Sequence, residues 1–193
     1  MDYNITLPFK DEDIKNIKGG DVLYLTGTVY SARDAAHKRM YDAINKYLED
    51  TGKSIGEITS SELFEKGITP IDLSGAVLYY LGPTPAKPGQ VIGSAGPTTS
   101  SRMDKYTPLL LALGLKGMIG KGKRSEDVRD AVASNSAVYM GATGGAGALL
   151  SKCIKKSEVI AYDDLGTEAI RKMEVENFPV TVLIDSIGNK FRV

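Results

Sequence analysis

Asp21-Val22-Leu23-Tyr24-Leu25-Thr26-Gly27-Thr28-Val29-Tyr30 is an apolar run rich in β-branched and aromatic residues, and Ser31-Ala32-Arg33-Asp34-Ala35-Ala36-His37 follows it without a break. The first stretch reads as one or two strands. The second reads as the start of a helix, with Ser31 placed to cap it and Asp34 three residues on in the manner of a capping box. Ala36, Met40, Ala43, Ile44, Tyr47 and Leu48 recur at helical spacing and predict its buried face, and Gly52 stops it. Strand followed directly by helix is the unit of an α/β fold, and the chain repeats it. Residues 76–81 predict a short buried strand, 82–97 a stiff Pro/Gly loop, and 99–113 a helix with Pro108 as a kink or restart. Further on, 117–120 and 137–140 read as strands, with a helix capped by Ser125 between them. Residues 144–155 read as a helix after a glycine-rich turn. Residues 159–162 and 180–185 read as strands, with 166–175 weakly helical between them, and 61–66 as a short helix. The alternation predicts α/β layering.

Composition narrows the function. The chain has 193 residues, 42% hydrophobic and 25% charged, which suits one domain over 1–193 with a sizeable core. Its 24 basic residues balance 24 acidic ones, so the basic excess of a general nucleic-acid binder is missing. No apolar run approaches the roughly 20 residues that span a bilayer. Residues 1–10 lack the apolar core of a signal peptide, so the expected location is cytoplasmic. Cys153 is the only cysteine and His37 the only histidine. An internal disulfide and an iron–sulfur cluster held by this chain are thereby excluded, and a Cys/His zinc site or a Ser-His-Asp triad nearly so, with His37 the sole base and set within a helical pattern. Chemistry has to run on Arg, Lys, Thr, Tyr and carboxylates, or on a partner's cofactor.

Four stretches carry candidate chemistry. Arg33 stands at the start of the first helix, where free N–H groups favour anions, and His37 lies one turn on; the plainer reading is a surface ion pair and a packed histidine. Gly96-Pro97-Thr98-Thr99-Ser100-Ser101-Arg102-Met103-Asp104 sets hydroxyls ahead of an arginine. It reads either as a carboxylate site with Arg102 as clamp or as a helix cap by Thr98 or Thr99. Ile119-Gly120-Lys121-Gly122 brackets a lysine with glycines, to receive a small anion or as a solvated turn; the full Walker pattern is absent. Gly141-Ala142-Thr143-Gly144-Gly145-Ala146-Gly147 lacks the acidic partner of a dinucleotide loop, against which stands close helix–strand packing. Arg33, Arg102 and Lys121 together suit a ligand with two carboxylates.

These stretches also carry a resemblance. Arg33-Asp34-Ala35-Ala36-His37 resembles the RDxAH segment of class I fumarate hydratases and the related L-tartrate dehydratases. Gly93-Ser94-Ala95-Gly96-Pro97-Thr98-Thr99 with Arg102-Met103-Asp104 is similar to their GSxGPTTxxRMD signature. Lys121 between its glycines, Gly166-Thr167-Glu168-Ala169-Ile170 and Val175-Glu176-Asn177-Phe178-Pro179 follow in the family order. The resemblance implies the small β subunit, equivalent to the C-terminal domain of the long form, with a swivelling β/β/α fold of mixed sheet layers and helices. It implies a [4Fe-4S] cluster on a partner α subunit, none on this chain, and a dimer of heterodimers as one assembly. It implies dehydration of malate to fumarate, with Thr98 as the base and Arg33, Arg102 and Lys121 as substrate-binding cations. Asp34, His37 and Thr99 would stand behind them. Two alternatives remain: the β subunit of an L-tartrate dehydratase, and a dicarboxylate-binding module without catalysis.

Overall fold

A computed structural model describes residues 1–142 and 147–191. Residues 143–146, the centre of the glycine-rich stretch considered for a dinucleotide, lie outside the described residues. The strands are β1 (Asp2–Thr6), β2 (Val22–Ser31), β3 (Val77–Tyr79), β4 (Gly117–Gly120), β5 (Val138–Gly141), β6 (Ile154–Ala161) and β7 (Ile170–Ile184). The helices are α1 (Asp11–Asn16), α2 (Asp34–Thr51), α3 (Ser60–Glu65), α4 (Thr107–Ala112), α5 (Glu126–Ser134) and α6 (Gly147–Cys153). Strands β2, β3, β4 and β5 are parallel neighbours in that order. Strand β7 runs antiparallel to both β5 and β2 and so closes a five-stranded ring. Strand β1 lies parallel on the first half of β2, and β6 lies antiparallel on the start of β7.

The period of two along each strand builds two cores. Val77 and Tyr79 of β3 face inward with Leu23, Leu25, Val138, Met140 and Val182. Leu78 and the adjacent Tyr80 face outward against α2, α4 and α5, through Met40, Ile44, Leu110 and Val132. Full burial of such a side chain is worth about 1.5–3 kcal/mol, so both faces drive the layering. The fold class is mixed α/β, as the alternation predicts. Among the described residues no helix is long and apolar enough to cross a membrane.

Several local expectations give way to long-range pairing. Ser31 does not cap α2. It ends β2, where its hydroxyl bonds to Ala169 O at 3.4 Å and accepts from the Arg171 N–H at 3.1 Å, stitching β2 to β7. Arg33 takes the N-cap position instead, with no side-chain cap. Residues 166–168 end a 3-10 turn, Asp163–Glu168, in which Gly166 departs from helical geometry, and 170–175 are strand rather than helix. Ile170, Met173 and Val175 are buried, and the segment pairs with β2 on one edge and β6 on the other, which makes it the first third of a 15-residue strand. The helix expected over 99–113 is a one-turn 3-10 segment, Ser100–Met103, followed by α4 with Pro108 in its first turn. The helix expected to reach residue 155 ends at Cys153, and β6 starts at once. Strand β1 arises within residues 1–10, read only as lacking a signal-peptide core, and α1 in 11–16, where no element is expected.

Candidate active site

The C-terminal ends of the parallel strands β2, β3 and β4 lie side by side, and the candidate residues hang from them. Arg33 and Asp34 follow β2. Thr98 is tied just past β3, its N–H donating to Tyr80 O at 2.8 Å. Lys121 directly follows β4, and the 97–104 loop is laid along it: Lys121 N–H donates to Thr98 O at 3.2 Å and Ser100 N–H to Lys121 O at 2.9 Å. The approach is close because residue 120 is glycine; a Cβ there would stand 2.0 Å from Ser100 Oγ. The C-terminal ends of parallel strands are where loops generally build ligand sites.

Three side chains meet directly. The Arg102 guanidinium donates to the Thr98 hydroxyl and pairs with Asp34 Oδ2 at 3.2 Å. Thr98 is therefore bonded to a cation, and the cap reading of Thr98 and Thr99 fails: Thr99 occupies the N-cap position of the 3-10 turn, with no side-chain cap. Thr99 and the Lys121 side chain are exposed, and the two residues are joined through the backbone bridge.

Arg33 is held differently. Its guanidinium pairs with Glu168 Oε1 at 3.4 Å, and the other oxygen of Glu168 accepts from the Ala35 N–H at 3.0 Å. The guanidinium lies on Gly82, where a Cβ would come within 2.6 Å of it. Arg33 thus combines the ion pair of the plain reading with a place on the shared rim. A cleft of about 420 Å³, lined by Pro83, Thr84, Gly93, Thr167 and Arg171 among others, opens next to Gly82, and none of Arg33, Thr98, Arg102 and Lys121 lines it.

His37 is fully buried, and its Nδ1 lies 2.9 Å from Arg33 O. A carbonyl only accepts, so Nδ1 carries the proton and Nε2 is a bare acceptor, buried without a partner. The ring stands edge-on to Tyr80, with centroids 5.2 Å apart. Burial pushes its pKa down to about 4, with the Arg33 carbonyl opposing, so it is neutral at pH 7. His37 fixes the turn that presents Arg33 and Asp34.

Sequence reading passed over Arg124, Asp104, Tyr80 and Tyr139, which pack beneath the rim, and did not single out Glu168. Glu168 lies in one of the quoted motifs, and Asp104 ends another. Nothing local in Gly120-Lys121-Gly122-Lys123-Arg124 separates the one buried cation from its exposed neighbours.

Residues 2–192 match the family model described as Fumarase C-terminus. The chain is 40% identical to the anaerobic class I fumarate hydratase of Escherichia coli over 171 residues, 88% of this chain but 28% of that protein. It is 37% identical to the mitochondrial fumarate hydratase 1 of Leishmania major, again over 88% of this chain and 28% of the relative. A Methanocaldococcus jannaschii protein with the provisional name L(+)-tartrate dehydratase subunit beta is 33% identical, over 98% of this chain and 90% of its own length. The chain thus spans little more than a quarter of the fumarate hydratases and nearly the whole of the tartrate dehydratase subunit.

Proposed function

The chain belongs to the Fumarase C-terminus family, and from that premise we propose that it is the β subunit of a heteromeric hydro-lyase that interconverts malate with fumarate and water. The observation that carries this reading is the Thr98–Arg102–Asp34 contact, set beside Lys121 at the ends of neighbouring strands. Arg33, Arg102 and Lys121 supply positive charge for the two carboxylates of the substrate. Thr98, having given its own proton to solvent, takes the C3 proton as the alkoxide; the C3–H electron pair forms the C2=C3 bond as the C2–O bond breaks, and the departing hydroxide takes up a proton from solvent and leaves as water. A neutral alcohol is a weak base; the guanidinium bonded to its oxygen stabilises the negative charge it must carry. Asp34 holds Arg102 in place, and Glu168 and His37 hold Arg33.

The family resemblance brings with it an iron–sulfur cluster, whose role would be to bind substrate as a Lewis acid. The donor set here does not fit one. Cys153 is the only thiol, and among the described residues no three His, Cys, Asp or Glu side chains gather as metal ligands. We assign the cluster to a partner α subunit, with the swivelling fold and a cytoplasmic location as parts of the same reading.

Co-expression with the cluster-bearing partner, then anaerobic assay on malate, fumarate and tartrate, tests the proposal. The pair should turn over malate and fumarate, and the chain alone should be colourless and inactive. An isolated chain with a cluster absorption band and malate turnover defeats the subunit reading. A second reading, the β subunit of an L-tartrate dehydratase, is favoured by the near full-length match to the Methanocaldococcus protein. Turnover of tartrate in place of malate establishes it, and a pair inert on all three substrates leaves a binding module.

A further inference from the structure

Beneath the rim lies a cation that the proposed chemistry does not use. The Arg124 side chain has no exposure, and all three of its nitrogens are engaged. Nε donates to Asp104 Oδ1 at 2.6 Å, one terminal nitrogen to Thr107 Oγ1 at 2.7 Å and the other to the Tyr80 hydroxyl at 3.3 Å. The guanidinium lies over the rings of Tyr80 and Tyr139, 5.4 and 5.0 Å from their centroids. The second oxygen of Asp104 accepts from the Ser125 N–H at 2.8 Å. The Tyr139 hydroxyl lies 2.9 Å from Ser100 Oγ and 2.8 Å from Gly122 O. The network therefore bolts together two loops, 97–104 with Thr98 and Arg102, and 121–125 with Lys121. It leans on Tyr80, the residue whose carbonyl anchors Thr98.

Stability alone does not account for this arrangement. Removing a guanidinium and a carboxylate from water costs several kcal/mol per ion, and apolar side chains of similar volume generally serve as well or better. Apolar packing is at hand, since the Met118 sulfur lies 3.6 Å from a terminal nitrogen of Arg124. What arginine adds is direction, a rigid planar fork that fixes its partners relative to one another. We propose that Arg124, with Asp104 and Tyr139, is the positioning device that sets the Thr98–Arg102 pair against Lys121. None of the three has to touch substrate. The catalytic consequence rests on the hydro-lyase reading above; the mechanical one does not.

The test uses the full chain assembled with its partner, carrying Arg124→Lys or the milder Tyr139→Phe. Arg124→Lys should lower kcat about 10²-fold and move KM less than about threefold, because a displaced reacting group loses rate more than binding. In a Thr98→Ala background the same change should add less than about twofold, since it acts through Thr98. Amide hydrogen exchange of the full chain gives a readout independent of turnover. The Thr98, Ser100 and Lys121 amides should exchange at least about tenfold faster, while those of Leu23 and Leu25 in the β2–β7 ladder stay unchanged. Tyr139→Phe removes one oxygen and should shift both readouts in the same directions, which keeps the test in hand if Arg124→Lys does not fold. Normal kcat with unchanged exchange in 97–104 overturns the proposal. So does faster exchange spread evenly over the chain, the mark of general destabilisation. If the unmodified pair turns over none of the substrates, the hydro-lyase reading falls, and the exchange pattern still decides the positioning claim.

Discussion

At the N-terminal ends of the parallel strands the buried Asp185 carboxylate accepts from the Ile187, Asn189 and Gly19 N–H groups and from the Asn189 amide, at 2.9–3.4 Å. At the C-terminal ends Arg33 Nε, Asp34 Oδ1, His37 Nε2 and Arg171 Nε are buried with no partner. Only two other buried side-chain polar atoms among the described residues lack one. An unsatisfied buried polar atom costs about 1–3 kcal/mol. The Asp185 carboxylate meets that demand at one pole of the barrel, whereas the other pole gathers four such atoms beside the candidate cations. The difference teaches where to look for function. A satisfied pole is finished by folding, whereas an unsatisfied one keeps groups ready for something the chain itself does not supply.

The comparison breaks most sharply at Thr98. Thr98→Ala should lower kcat of the assembled enzyme by about 10²–10⁴-fold, the usual reach of a positioned acid or base. KM and the melting temperature should change little, and Thr98→Ser should keep part of the activity. Near-normal kcat with a lowered melting temperature would make this pole as purely structural as the other. At the other pole, Asp185→Ala removes the acceptor shared by the Gly19, Ile187 and Asn189 N–H groups and the Asn189 amide. It should cost about 2–4 kcal/mol in denaturant unfolding while kcat of the folded enzyme is unchanged. A fall in kcat would show that the two poles are coupled.

Acid should sharpen the contrast through His37. Its folded pKa of about 4 lies below the ordinary 6.5, so the unfolded chain binds the proton first. The stability that His37 contributes is complete above pH 6.5, is lost as pH falls from there toward 4, and levels off below. Between pH 7 and pH 5 that loss is about 2 kcal/mol. His37 is the chain's only histidine, so unfolding free energies of His37→Gln at the two pH values should lack this increment. An equal pH dependence in the variant would remove the assignment. The smallest effect belongs to neither pole. Asp42 pairs with Lys38 one turn away on the exposed face of α2, and Asp42→Asn should cost less than about 0.5 kcal/mol.

Much of this was legible in the residues. The strand of 117–120 and the α5 cap at Ser125, whose hydroxyl accepts from the Val128 N–H, stand where turn and cap chemistry put them. Local rules suffice for the cap because its partner lies three residues on, and for the strand because its apolar, fully buried residues suit no exposed element. They mislead over 170–175, where spacing suggests a helix but strands on both edges supply the hydrogen bonds, and at Ser31, whose hydroxyl serves a strand 140 residues away.

By itself the sequence determined the strand–helix alternation, the candidate loops in their family order, and the inability of a chain with one cysteine to hold an iron–sulfur cluster. These follow from residue identity and near-neighbour spacing, which folding does not alter. The tertiary structure alone decided that Arg102 joins Thr98 to Asp34, that Arg33 is held by Glu168, and that Arg124 is buried while Lys121 and Lys123 stay exposed. Those outcomes depend on which strands become neighbours when β7 closes the ring, a choice made by hydrogen bonds and apolar burial between segments far apart in the chain.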